Sequence, residues 1–179
     1  MKKTNFRLIV ILICLSILLP LHSCKKTPRQ DSSLKSFSNE YFTFQYPKDW
    51  KVSDNSNQLS ITGPEELGYY VNLKVDYNPS VDLLLNDFLT TVETQNNLSK
   101  LWQFKDMGTV EMTINGHSAL QHSILTAIQI KEVPLYLFVR LTYFVKDKLG
   151  IVITAEIPQD VLGKYEKQIN GIIQSFEIK

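Results

Sequence analysis

The sequence predicts one α+β domain, a single antiparallel sheet with helices packed on both of its sides. Three observations carry that expectation. Seven apolar strand-like runs follow one another in hairpin order, and two stretches repeat apolar residues at helical spacing. One run, Leu135 to Val145, is apolar on both sides, as a central strand covered on both faces would be.

Taken in order, the domain opens at Tyr41 to Tyr46, where alternation puts Phe42, Phe44 and Tyr46 on one face. Pro47 lacks the N–H that a ladder needs, so the strand stops there and Trp50 folds back on the aromatic face. Leu59 and Ile61 mark a short second strand ended by Gly63-Pro64, which leaves Glu65 and Glu66 in a loop. From Tyr69 to Tyr77 the odd-numbered residues Tyr69, Val71, Leu73, Val75 and Tyr77 point inward. Asn78-Pro79-Ser80 suits a helix start, because Asn or Ser caps well and proline has no N–H to leave unsatisfied in a first turn. Val81, Leu84, Leu85, Phe88, Leu89 and Val92 then form an apolar stripe, and the helix frays at Gln95-Asn96-Asn97.

Leu101 to Ile114 reads as a strand with an irregularity at Gly108, ending in Asn115-Gly116, the dipeptide that a two-residue type I′ turn prefers. The return arm, Ser118 to Ile130, places Leu120, Ile124, Ile128 and Ile130 on one side. After Leu135 to Val145, the residues Lys146 to Gly150 turn the chain into Ile151 to Ile157. A last helix follows Pro158, with Leu162, Tyr165, Ile169, Ile172, Ile173 and Phe176 as its stripe. Gly163 and Gly171 weaken this helix by up to ~1 kcal/mol each against alanine, and close approach to the sheet is a reason to keep them.

The first 23 residues read as a cleaved leader: a basic start at Lys2, Lys3 and Arg7, then an apolar run from Leu8 to Leu21. That run is about 14 residues, short of the roughly 20 that cross a bilayer as a helix. Leu21-His22-Ser23-Cys24 resembles the lipobox of bacterial lipoproteins, with His22 standing where a smaller residue is usual. The resemblance implies diacylation of Cys24, cleavage before it, and a membrane-anchored protein of the cell envelope that faces the periplasm or cell exterior. Residues 24–36 are polar, with Pro28 and three serines, and read as a tether. Its cations Lys25, Lys26 and Arg29 either meet anionic headgroups or are simply solvated. The globular domain is then 37–179.

Without the leader about 155 residues remain, enough for one domain with a real core and too few for two. The formal charge is +1, and so near-neutral a surface gives no basic face for nucleic acid. Of the two cysteines, Cys14 leaves with the leader and Cys24 becomes a thioether, so paired-cysteine zinc sites are excluded. With no disulfide, the 44% of hydrophobic residues must hold the fold by packing.

Phe42-Thr43-Phe44-Gln45-Tyr46-Pro47-Lys48-Asp49-Trp50 resembles the opening strand and turn of the PsbP-like family, the photosystem II extrinsic protein P and its non-photosynthetic relatives. The order of elements is similar too, down to a closing helix that ends in Ser175-Phe176. The likeness spans roughly 37–179. It implies an α/β/α sandwich around an antiparallel sheet, in a family whose members mostly bind or help assemble other proteins.

Candidate chemistry is sparse. His117 and His122, five apart on one strand, fall on opposite faces and cannot share a metal without a bulge. His122 lies on the Leu120 and Ile124 face, where a packed, hydrogen-bonded core histidine is the simpler reading, and His117 beside the turn is simply exposed. Arg140, inside an apolar strand, requires a partner: it reaches past the sheet edge or pairs with Glu111 or Glu156 on a neighbouring strand. No Gly-x-Ser-x-Gly elbow, phosphate loop, His-Glu-x-x-His or EF-hand pattern occurs. The expectation is a non-enzymatic protein without cofactor that binds an unidentified protein partner through loops 63–68 and 95–103, with Glu65, Glu66, Tyr69 and Trp102 as contact residues. The alternative is a carrier of an amphiphile held between sheet and helix.

Overall fold

In a computed structural model, residues 33–96 and 105–179 are described. The elements are β1 (Leu34–Ser38), β2 (Phe42–Pro47), β3 (Lys51–Asn55), β4 (Gln58–Glu66), β5 (Tyr69–Asn78) and α1 (Leu85–Asn96). They continue with β6 (Lys105–Ile114), β7 (His117–Ile130), β8 (Val133–Lys146), β9 (Leu149–Pro158), a 3₁₀ turn (Gln159–Val161), α2 (Leu162–Gln174) and β10 (Glu177–Ile178). The fold is dominated by strands, and they form two antiparallel sheets rather than the single sheet expected. One has seven strands in the order β3-β4-β5-β9-β8-β7-β6, the other three in the order β1-β2-β10. The split arises because β2 pairs with β1 and with the C-terminal β10, both of which escape sequence detection. β1 and β3 are exposed edge strands, and an edge held by backbone bonds needs no apolar period.

Two cores lie on opposite faces of the large sheet. On one, Val71, Leu73, Val75, Ile151, Ile153 and Ile157 meet α2, and β2 adds Phe42 and Phe44. On the other, Leu137, Val139, Leu141 and Tyr143 meet Phe88 of α1. β8 feeds both faces, with Phe144 in the first core and Tyr143 in the second, so the both-sides-apolar reading of 135–145 holds. Trp50 is buried in the first core as expected, and its ring rests on Gly63, where an added Cβ would come within 2.8 Å of it.

Three local expectations fail for identifiable reasons. Gly63-Pro64 does not end β4: the register shifts between Thr62 and Glu65, and this bulge absorbs the proline, so that Glu65 and Glu66 are strand residues paired with Tyr70 and Tyr69. Asn78 does not cap a helix. Its side-chain oxygen accepts from the Ser80 N–H at 3.0 Å, and the Val81 N–H donates to the Lys148 carbonyl at 2.8 Å, which ties the chain to the β8–β9 turn. α1 therefore starts at Leu85, Val81 is buried outside it against Gly150, and Leu84 is exposed. Gly163 and Gly171 permit no close approach, since a Cβ on either would meet nothing within 4 Å.

The Asn115-Gly116 turn forms as expected, with φ of 46° and 81°. The turns Ser56-Asn57, Leu67-Gly68, Lys131-Glu132 and Asp147-Lys148 also have positive φ at both residues. The right-handed twist of the flanking strands selects this geometry even where no glycine is present. At Gly108, with φ of 90°, β6 carries its irregularity: the register against β7 shifts between Asp106 and Thr109.

Candidate functional site

At one end of the large sheet, the β4–β5 and β7–β8 hairpin tips meet. A Cβ on Gly68 would lie 3.9 Å from the Ile130 side chain, and Ile130 pairs with Val133 across its own turn. This junction leaves large apolar side chains in solvent: Leu67 is 58% exposed, Tyr70 53% and Val133 64%, and three residues further along β8, on the face opposite to Val133, Tyr136 is 45% exposed. Isolated exposed apolar residues are ordinary, whereas several gathered on adjoining tips mark an interaction surface.

Polar residues behind the tips fix their geometry. Glu66 accepts from Lys164 Nζ at 2.5 Å and from the Tyr165 hydroxyl, joining β4 to α2. Those two hydrogen bonds hold its carboxyl below the usual carboxylate range. The Tyr69 hydroxyl donates to Glu156 Oε2, and Lys74 Nζ lies 3.4 Å from the other oxygen of that carboxylate. Burial, then the Glu156 carboxylate, push the Tyr69 hydroxyl's pKa up. Tyr69 packs against the α1-side core, as Ile128 and Leu135 do, instead of joining Val71 and Leu73 in the α2-side core. A groove of about 330 Å³ runs from Tyr69 and Tyr70 past Gly68 to Ser60, Thr62 and Asn72.

Among the residues singled out from sequence, Glu65, Glu66 and Tyr69 thus come together at the tips. Only Glu65 is free to meet a partner, since Glu66 and Tyr69 spend their polar atoms inside the protein. Trp102, much of the 95–103 loop, and Cys24 lie outside the described residues. Sequence reading singled out none of Leu67, Val133 and Tyr136 as residues, although the 63–68 loop it named contains Leu67. The signal for the first two was available: each sits in or beside a two-residue turn, where an apolar side chain has no interior to enter.

Two further polar clusters lie away from the tips. Arg140 is buried and donates to Asn170 Oδ1 at 2.6 Å and to Glu166 Oε1 at 3.0 Å, both on α2. Its partners therefore come from the helix above it and not from Glu111 or Glu156, because the even-numbered residues of β8 face α2. His122 is buried and hydrogen-bonded, as expected of a core histidine, and its partners are Glu93 and Asp106. A groove of about 360 Å³ between α1 and β5 is lined by Phe88, Val92 and Val152 together with Asn57, Asp76 and Thr154. No helix among the described residues is long and apolar enough to cross a membrane.

No protein-family profile and no curated protein sequence matches the chain. Solved structures do. The solution structure of cyanobacterial PsbP (CyanoP) from Synechocystis sp. PCC 6803 is similar over 89% of this chain and 99% of its own, with 15% identity and a TM-score of 0.60. LpqN of Mycobacterium tuberculosis, described as involved in cell envelope biogenesis, matches over 83% and 93% with 14% identity and a TM-score of 0.58. The Ran-binding protein Mog1p of Saccharomyces cerevisiae matches over 81% and 95% with 10% identity and a TM-score of 0.55. The chain therefore has the PsbP-like fold, shared with CyanoP, LpqN and Mog1p.

Proposed function

We propose that this chain is a non-enzymatic protein of the cell envelope, anchored through a lipidated Cys24, that binds a protein partner with its joined hairpin tips. The observation that carries the reading is the group of exposed apolar side chains, Leu67, Tyr70 and Val133, on tips held from behind by Glu66 and Tyr69. Aromatic and aliphatic anchors on a rigid support lose little side-chain entropy on binding, which is what interface hot spots require. Glu65 at the rim adds a charge that selects among partners without adding much affinity. Two proteins of the same fold point the same way, LpqN through cell envelope biogenesis and Mog1p through Ran binding. The carrier reading is less favoured, because Asn57, Asp76, Asn78 and Thr154 line the groove beside α1 along with Phe88, Val92 and Val152.

A photoreactive residue placed at Tyr70 or Val133 in cells, compared with one at the exposed Asp147 in the β8–β9 turn at the far end of the sheet, tests the proposal. The expected result is a discrete protein adduct from the tips alone, abolished by Leu67→Asp. Adducts of equal yield from all three positions, or none from the tips, would overturn it.

A further inference from the structure

Buried on β7, His122 has both ring nitrogens committed to carboxylates on different elements. Nδ1 faces Glu93 Oε1 on α1, and Nε2 lies 2.9 Å from Asp106 Oδ1 on β6. A neutral imidazole has one N–H and can donate to one of these; against the other it would set a lone pair beside a carboxylate oxygen. Only the imidazolium satisfies both. Both acceptors are held in place. The Gly108 N–H donates to the same Asp106 oxygen at 2.7 Å, and the Tyr143 hydroxyl donates to Glu93 Oε1 at 3.4 Å. The carboxylates bind opposite edges of the ring, so the three groups do not converge on one point, and no metal-holding cluster occurs among the described residues.

We propose that His122 is a proton-controlled clasp that fastens the C-terminal half of α1 to the first residues of β6, closed while the ring is an imidazolium and open once it is neutral. The titratable groups that face the ring are Glu93 from α1, Asp106 from β6 and Tyr143 from β8; the residues opposite it in register, Thr109 and Leu141, are uncharged. Burial works against the charged ring, but Asp106 and Glu93 outweigh it, so the ring holds its proton above its ordinary 6.5. The sign follows from that direction. The clasp's contribution is complete below 6.5 and is lost as pH rises through the folded-state value. α1 is the element that depends on it: twelve residues long, it buries Phe88 well but Leu85, Leu89 and Val92 only in part, and so short a helix does not hold by itself.

The test follows the His122 ring by NMR titration of the full-length chain in detergent micelles, with amide hydrogen exchange of α1 and, as an internal reference, α2. As the ring loses its proton, α1 protection is expected to fall by about tenfold relative to α2 after correction for intrinsic rates. Asp106→Asn, an exposed change that leaves the fold intact, is expected to lower the ring's midpoint and move the loss of α1 protection with it. A ring that titrates at or below about 6.5, a midpoint that Asp106→Asn does not move, or α1 protection that stays level while the ring titrates would each overturn the clasp.

Discussion

The ring of Phe176 lies flat on that of Phe44, with centroids 4.6 Å apart and planes 9° from parallel. That stack ties β2 to the end of α2, and Phe144 of β8 brings the large sheet against the same ring. Phe176 also meets Phe42 and Phe144 edge or tilted, its carbonyl accepts from the Asn115 side chain at 2.6 Å, and the preceding Ser175 hydroxyl accepts from the Gln45 N–H at 2.8 Å. Residues 175–178 therefore finish a core that begins at Phe42.

Phe176→Ala removes a fully buried ring from that stack and is expected to cost about 3–5 kcal/mol. Urea denaturation measures it, as a lowered midpoint at unchanged slope. A loss under about 1 kcal/mol would mean that the small sheet is not packed as described.

Glycines separate into two kinds. At Gly63 a methyl would press on the Trp50 ring, so Gly63→Ala is expected to destabilise by about 1–3 kcal/mol. At Gly171, inside α2, a methyl meets nothing, and Gly171→Ala is expected to stabilise by about 0.5–1 kcal/mol. Thermal melts of the two variants should move in opposite directions.

The acid limb of stability follows from depressed carboxylates. Glu66 is lowered by its hydrogen bonds from Lys164 and Tyr165, and Asp106 by the Gly108 N–H and then by His122. A depressed carboxyl contributes stability that is present above its unfolded value, 4.5 for Glu66 and 3.8 for Asp106, and that is lost as pH falls through the folded value. Denaturation midpoints should therefore decline below about pH 4.5, and Glu66→Gln should flatten that decline.

Anchoring is tested at Cys24. Wild-type protein is expected to take up a labelled fatty acid and to sediment with membranes, and Cys24→Ala to do neither. Unlabelled, soluble wild-type protein would remove the anchor from the proposal.

Most strands and the second helix were legible in the chain, because alternation in Phe42 to Tyr46 or Val71 to Tyr77 and the stripe from Tyr165 to Ile173 are local periods that burial on one face imposes. The tight turn at Asn115-Gly116 was legible for the same reason, since local sterics set it. The opening aromatic motif and the order of elements also pointed to the PsbP-like fold. Partners were another matter. Arg140 announced that it needed one but not that Glu166 and Asn170 would supply it, and His122 finds Glu93 and Asp106 from 29 and 16 residues away. Tertiary structure alone decided these pairings, the splitting of the strands into two sheets, and the meeting of Gly68 with Ile130 that gathers the exposed tips. Such choices depend on which faces the packing sets against each other, and no period along the chain records that.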